Sequence, residues 1–188
     1  MFSLFLKLYW KLSGWKVVGR LPDQHKKLVI IVAPHTSWID ILLGFAARKQ
    51  LNIPDAKFMA KKELFDGPFG SVFKQLGATP VDRSAKHGMV DQAVALFNAN
   101  EKFILAIAPE GTRKRVDKLR TGFYHIAKAA QVPIQPVGFD FENRKVILGD
   151  IIITSDNEEA DMKKILSFFT SIQGKNPSLD LRHLKQSE

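Results

Sequence analysis

The sequence predicts a single α/β domain, a mostly parallel or mixed sheet flanked by helices. Three observations carry this. Leu28-Val29-Ile30-Ile31-Val32-Ala33 and Phe103-Ile104-Leu105-Ala106-Ile107-Ala108 are wholly apolar, as strands buried on both faces are. Each run ends in a proline, Pro34 or Pro109, which cannot donate to a sheet ladder. Strand-like and helix-like stretches then alternate along the chain without a repeat, linker or break in composition.

At 188 residues, 45% hydrophobic and 25% charged, the chain can build one core and is not of disordered composition. The absence of cysteine excludes a disulfide framework, thiolate metal sites and a cysteine nucleophile. A formal charge of +9 favours an anionic partner: nucleic acid, an anionic membrane surface or a phosphorylated substrate. No uninterrupted apolar run reaches the roughly 20 residues that span a bilayer.

Residues 1–16 read as an amphipathic amino-terminal helix, with Ser3, Lys7, Lys11 and Gly14 in a narrow polar stripe. The segment has neither the charged leader nor the small-residue cleavage site of a signal peptide. Tyr9, Trp10 and Trp15 are types enriched at the membrane–water boundary, and the lysines suit anionic headgroups. A helix that only packs on its own domain is the alternative. Residues 17–173 form the main domain and 174–188 a polar, loose tail. Within the domain, 16–20 reads as a short strand, and 28–33 as the central one. Ile39, Ile41, Leu42, Leu43, Phe45 and Ala46 give a helix with a broad apolar face. Residues 57–60 form a strand, 69–76 a short helix bracketed by glycines, and 89–98 a helix. After the strand at 103–108 come a helix at 123–130 and an extended segment at 132–137. Strands at 145–148 and 151–154 and an amphipathic helix at 158–169 complete the order.

His35 falls on the loop between a strand's carboxyl end and a helix's start, where open α/β sheets bind ligands. Asp40 lies five residues on, in the first helical turn. The loop can fold the imidazole back over that turn, so that the carboxylate accepts one ring N–H and leaves the other nitrogen as a general base. Ser37-x-x-Asp40 also fits a capping box, a purely structural use of the same acid. The second strand–proline–loop repeats the arrangement with Glu110, Gly111, Thr112 and Arg113. Glycine permits close backbone approach, and turn amides plus arginine suit an anion. Lys114, Arg115, Lys118 and Arg120 follow; for Lys114 and Arg115 a solvated basic face is the preferred reading. Lys61 and Arg83 each follow a strand-like segment and can reach the same sheet edge. His25, His87, His125 and His183 lack metal-ligand spacing, so no metal is expected.

Together, His35-x-x-x-x-Asp40, Asp82-Arg83, Pro109-Glu110-Gly111-Thr112-Arg113 and Val132-Pro133-Ile134-Gln135-Pro136-Val137 resemble the four ordered blocks of the glycerolipid acyltransferases. The likeness is greatest to the branch that acylates 1-acylglycerol 3-phosphate. It runs from about Val29 to Val137 and includes Lys61-x-Glu63-Leu64 and Gly77. The resemblance implies transfer of a fatty acyl group from a coenzyme A or acyl-carrier-protein thioester to a lysophospholipid hydroxyl, with no further cofactor. It implies His35 as base, Asp40 as its partner, and Lys61, Arg83, Glu110, Gly111, Thr112 and Arg113 as substrate-binding positions. Arg113 is the leading candidate for a phosphate, and Glu110 for a glycerol hydroxyl. The expected location is peripheral, on the cytoplasmic face of a membrane, with no nucleic-acid partner. Pro34 stands where the family often has asparagine, which leaves another lysolipid or alcohol as acceptor in play. A serine-type lipid esterase using Ser37 or Ser71 is the alternative of a different class, although the nucleophile elbow is missing.

Overall fold

The computed structural model describes residues 2–21, 25–68, 70–82 and 88–185. The side chains of Phe2, Ser3, Lys61 and Leu64 lie outside this description. Seven strands form one sheet: β1 (Lys16–Val18), β2 (Lys27–Ala33), β3 (Lys57–Lys61), β4 (Ala78–Val81), β5 (Phe103–Ile107), β6 (Ile134–Asp140) and β7 (Lys145–Leu148). Their order is β1-β7-β6-β2-β5-β3-β4. β6, β2, β5, β3 and β4 are mutually parallel. β7 is antiparallel to β6, and β1 runs parallel to β7, so the sheet is mixed at that edge. Six helices are described: α1 (Phe2–Ser13), α2 (Ile39–Gln50), α3 (Gly70–Gln75), α4 (Met89–Ala99), α5 (Gly122–Ala130) and α6 (Glu158–Phe169).

The two-residue period of β2 sorts its side chains into two cores. Val29, Ile31 and Ala33 join Phe97 of α4, Phe123 and Ile126 of α5, and Ile165 and Phe169 of α6. Leu28 and Ile30 meet Leu43 and Ala47 of α2, with Trp15, Val137 and Phe139. Burying a leucine or phenylalanine contributes about 1.5–3 kcal/mol, so both faces of this one strand are strongly specified. After β2 the chain passes to β3, beyond β5; after β5 it passes to β6, on the far side of β2. The carboxyl ends of these neighbouring strands therefore flank a switch point, the place in an open sheet where loops diverge and leave a crevice.

Helix α1 has two apolar faces. Leu6 is buried against Phe45 and Ala46 of α2, with Tyr9 and Trp10 beside it. Leu4, Phe5, Leu8 and Leu12 are exposed. Trp15, expected near a membrane boundary, is instead buried, edge-to-face with Phe141 at 5.0 Å. No described helix is long and apolar enough to cross a membrane.

Two further expectations change. Residues 151–154 are not a strand: one antiparallel bridge joins Ile152 to Ile134 before the chain turns into α6. The segment after Gln173 is not loose through Lys185. Leu181 and Asp180 are buried, and two short 3-10 turns, Pro177–Leu179 and Arg182–Leu184, shape it. Polar composition hides that fit, because its one fully buried leucine carries no periodic signal.

Candidate active site

Strand β2 delivers Pro34, through a cis Ala33–Pro34 bond, and then His35 to the sheet's carboxyl edge. The chain then folds over the first turn of α2. Asp40 is 3% exposed, and its Oδ2 gathers three donors there. The Thr36 and Ser37 amides donate to it at 2.8 Å each, and His35 Nδ1 lies 3.2 Å away. One Asp40 oxygen thus both caps the turn and orients the imidazole. A carboxylate acceptor fixes the proton on Nδ1 and leaves Nε2 as the basic nitrogen. The ring is 22% exposed and lines a cleft of about 940 Å³. Ser37 Oγ accepts the Ile39 amide at 3.2 Å, and no hydrogen bond among the described residues joins it to the His35 ring.

Glu110 enters from the neighbouring strand. β5 pairs with β2 in register, so the loop after Ile107 lies against the loop after Ala33. The His35 amide donates to both Glu110 oxygens, at 3.0 and 2.9 Å. Glu110 is 2% exposed and sits behind the backbone that carries the imidazole. Burial pushes its carboxyl up to about 7; the His35 amide opposes this, while Asp40 and Asp180 reinforce it. This geometry gives Glu110 a hold on the main chain, away from the cleft wall where a glycerol hydroxyl would lie.

Gly111, Thr112 and Arg113 do line the cleft. Gly111 has φ +64°, a left-handed conformation that glycine adopts freely. Its open face is covered by Arg120, whose Nε lies 2.8 Å from where a Cβ would stand. Arg120 also lines the cleft, and its amide donates to the Pro109 carbonyl at 2.8 Å. In the sequence Arg120 belongs only to a basic cluster; in the fold it is a second arginine that closes the loop Gly111 opens. Thr112 Oγ1 accepts the Lys114 amide at 3.2 Å. Lys114 and Arg115 are exposed, in keeping with a solvated face.

Lys61 ends β3 on the same sheet edge. Arg83 lies outside the described residues, but Asp82 before it is anchored to α4, where the Gln92 amide donates to its carbonyl at 2.7 Å. Most of the remaining lining is apolar, with Ile41, Gly44 and Phe45 of α2 and Met59, Ala60 and Ile107 of the sheet, while Arg48 and Lys57 also line the cleft. No cluster of three metal-binding side chains occurs among the described residues.

The arrangement is thus a histidine oriented by a buried acid, on the wall of a largely apolar cleft that three arginines, Arg48, Arg113 and Arg120, also line. Comparison with known proteins points the same way. The Acyltransferase family model matches residues 15–140. The 1-acyl-sn-glycerol-3-phosphate acyltransferase of Escherichia coli (strain K12) is 30% identical over 146 residues, 73% of this chain. The match spans only 58% of that protein's length. The crystal structure of the 1-acyl-sn-glycerophosphate (LPA) acyltransferase PlsC from Thermotoga maritima superposes with TM-score 0.58 over 89% of this chain and 74% of that one, at 21% identity. The fold is shared with that structure, and by the family-model match across residues 15–140 the chain belongs to the acyltransferase family.

Proposed function

We propose that this protein transfers a fatty acyl group from a thioester to the free hydroxyl of a lysophospholipid, with 1-acylglycerol 3-phosphate as the leading acceptor and phosphatidate as product. The observation that carries the reading is the His35–Asp40 pair, 3.2 Å apart, at the rim of an apolar cleft that also holds Arg113 and Arg120. His35 Nε2 removes the proton of the acceptor hydroxyl, and the alkoxide attacks the thioester carbonyl. The thiolate leaves and takes a proton from the imidazolium, which Asp40 steadies throughout. General-base help of this kind is worth roughly 10²–10⁴-fold in rate. A cleft of about 940 Å³ has the volume for a fatty chain. Arg113, in a planar guanidinium's usual role, takes the acceptor phosphate. Coenzyme A and acyl carrier protein are both donors of suitable chemistry, and no further cofactor is called for.

A lysolipid and its two-chain product reside in a bilayer, so the site must approach one. The exposed Leu4, Phe5, Leu8 and Leu12, beside the exposed Lys7 and Lys11, supply a face for anionic lipid. The reading places the protein peripherally, on the cytoplasmic side. The test is incubation with labelled acyl-coenzyme A or acyl carrier protein and a panel of lysolipids and simple alcohols. Label appearing in phosphatidate supports the proposal, and label in another lipid changes the acceptor. Release of free fatty acid alone would mark an esterase and defeat it.

A further inference from the structure

The segment from Gln173 to Leu184 touches both loops of the site, and it lies outside the region that matches the family model. Asn176 holds Thr36, the residue after His35, in two ways. Its amide donates to Thr36 Oγ1 at 3.0 Å, and its Nδ2 donates to the Thr36 carbonyl at 2.7 Å. Thr36 is 3% exposed. Gly174 packs on Thr36 and Pro34 so closely that a Cβ would lie 3.0 Å from the threonine side chain. At the other end, the His183 ring lies 3.0 Å from the carbonyl of Val116, in the loop that carries Arg113.

The segment is itself well anchored. The Phe141 amide donates to the Gln173 carbonyl at 2.9 Å, and Ile172 packs over Gly138 of β6. Asp180 accepts the Gly174 amide at 3.3 Å and the Arg182 Nε at 2.9 Å, while Leu181 sits in the main core. Each amide from His35 to Ser37 already has a carboxylate acceptor, Glu110 or Asp40. Asn176 supplies the remaining hold, on the carbonyl and hydroxyl of Thr36.

We infer that residues 173–184 brace the two site loops against one another, and that Asn176 is a positioning residue for His35 through its clasp on Thr36. The inference rests on the acyl-transfer reading for its kinetic consequence only. A loop displacement of about 1 Å misaligns the base and costs turnover without costing binding.

The test uses the full chain with Asn176→Asp, which replaces the donor to the Thr36 carbonyl by an acceptor, and Thr36→Val, which removes the hydroxyl acceptor. Thr36→Ser restores it. Turnover is expressed per folded molecule, with the folded fraction taken from thermal melts. Both disruptive variants should lower kcat about five- to fifty-fold with KM for donor and lysolipid within about twofold. Thr36→Ser should stay within about twofold of the parent. Hydrogen exchange at the His35, Thr36 and Ser37 amides should speed up while exchange in β2 does not. Unchanged kcat and loop exchange in both variants overturns the inference. So does activity lost only in proportion to unfolding, or failure of both variants to fold. A parent chain that transfers no acyl group defeats the functional reading instead, and the exchange measurement still decides whether the brace exists.

Discussion

Glu110 meets His35 through the backbone: both of its carboxylate oxygens accept the same amide proton, at 3.0 and 2.9 Å. The contact links the ends of two neighbouring parallel strands, so the His35 loop is positioned from β5 as well as from its own helix.

That placement has a consequence for stability. Burial raises the Glu110 carboxyl from 4.5 to about 7. Between those values the folded chain keeps a proton that the unfolded chain has lost. Stability therefore falls as pH rises through this window and levels off above about 7. Glu110→Gln cannot titrate and should lose this slope, which amounts to on the order of 3 kcal/mol across the window. Urea midpoints of both proteins at pH 5 and pH 7.5 measure it. Identical pH dependence would show that Glu110 is not the group responsible.

His35→Ala should reduce transfer at least about 100-fold, since it removes the general base. The side chain is partly exposed, so the melting curve should change little. Asp40→Ala should lower turnover as well, but it also strands the buried Thr36 and Ser37 amides, at a cost of about 1–3 kcal/mol. Turnover of His35→Ala within threefold of the parent would rule out the mechanism.

Arg113→Ala should raise KM for a phosphorylated acceptor about tenfold or more, with KM for the acyl donor little changed. The motive is its place on the cleft wall beside the Gly111 turn. Initial rates with both substrates varied decide it. An effect on the donor alone would move Arg113 to the thioester end of the cleft.

The two faces of α1 should separate by mutation. Leu6→Ala, in the packed face, should cost about 2–4 kcal/mol of stability. Leu8→Ser and Leu12→Ser, in the exposed face, should change stability by less than about 0.5 kcal/mol each. The exposed-face changes should weaken binding to anionic vesicles several-fold, and raised salt should weaken it in the parent. Vesicle sedimentation and denaturant melts give both readings. Unaltered vesicle binding would place any membrane contact elsewhere.

The sequence made the local parts of the site legible and left the non-local parts hidden. Apolar runs ended by Pro34 and Pro109 marked β2 and β5, and the loop position of His35 announced its contact with Asp40. Helix α6 was readable to both ends from its apolar period. The adjacency of β2 and β5 has no local signal, so Glu110 read as a substrate group when its carboxylate is spent on the His35 amide. Asn176 lies 140 positions from Thr36, in a stretch whose polar composition resembles a free tail. Trp15 read as a boundary residue because its type is common there; only Phe141 and the β1–β7 edge, far along the chain, reveal that it is buried.

The seat of Leu6 on Phe45 and Ala46 carries a last consequence. The helix whose outer side is exposed and apolar is bolted by its inner side to α2, and the first turn of α2 holds Asp40. A bilayer that gripped α1 would thereby set the angle at which the cleft meets the surface. The approach of a lysolipid headgroup would then be aimed by one helix pair, and loosening that pair would scatter the aim while leaving the chemistry intact.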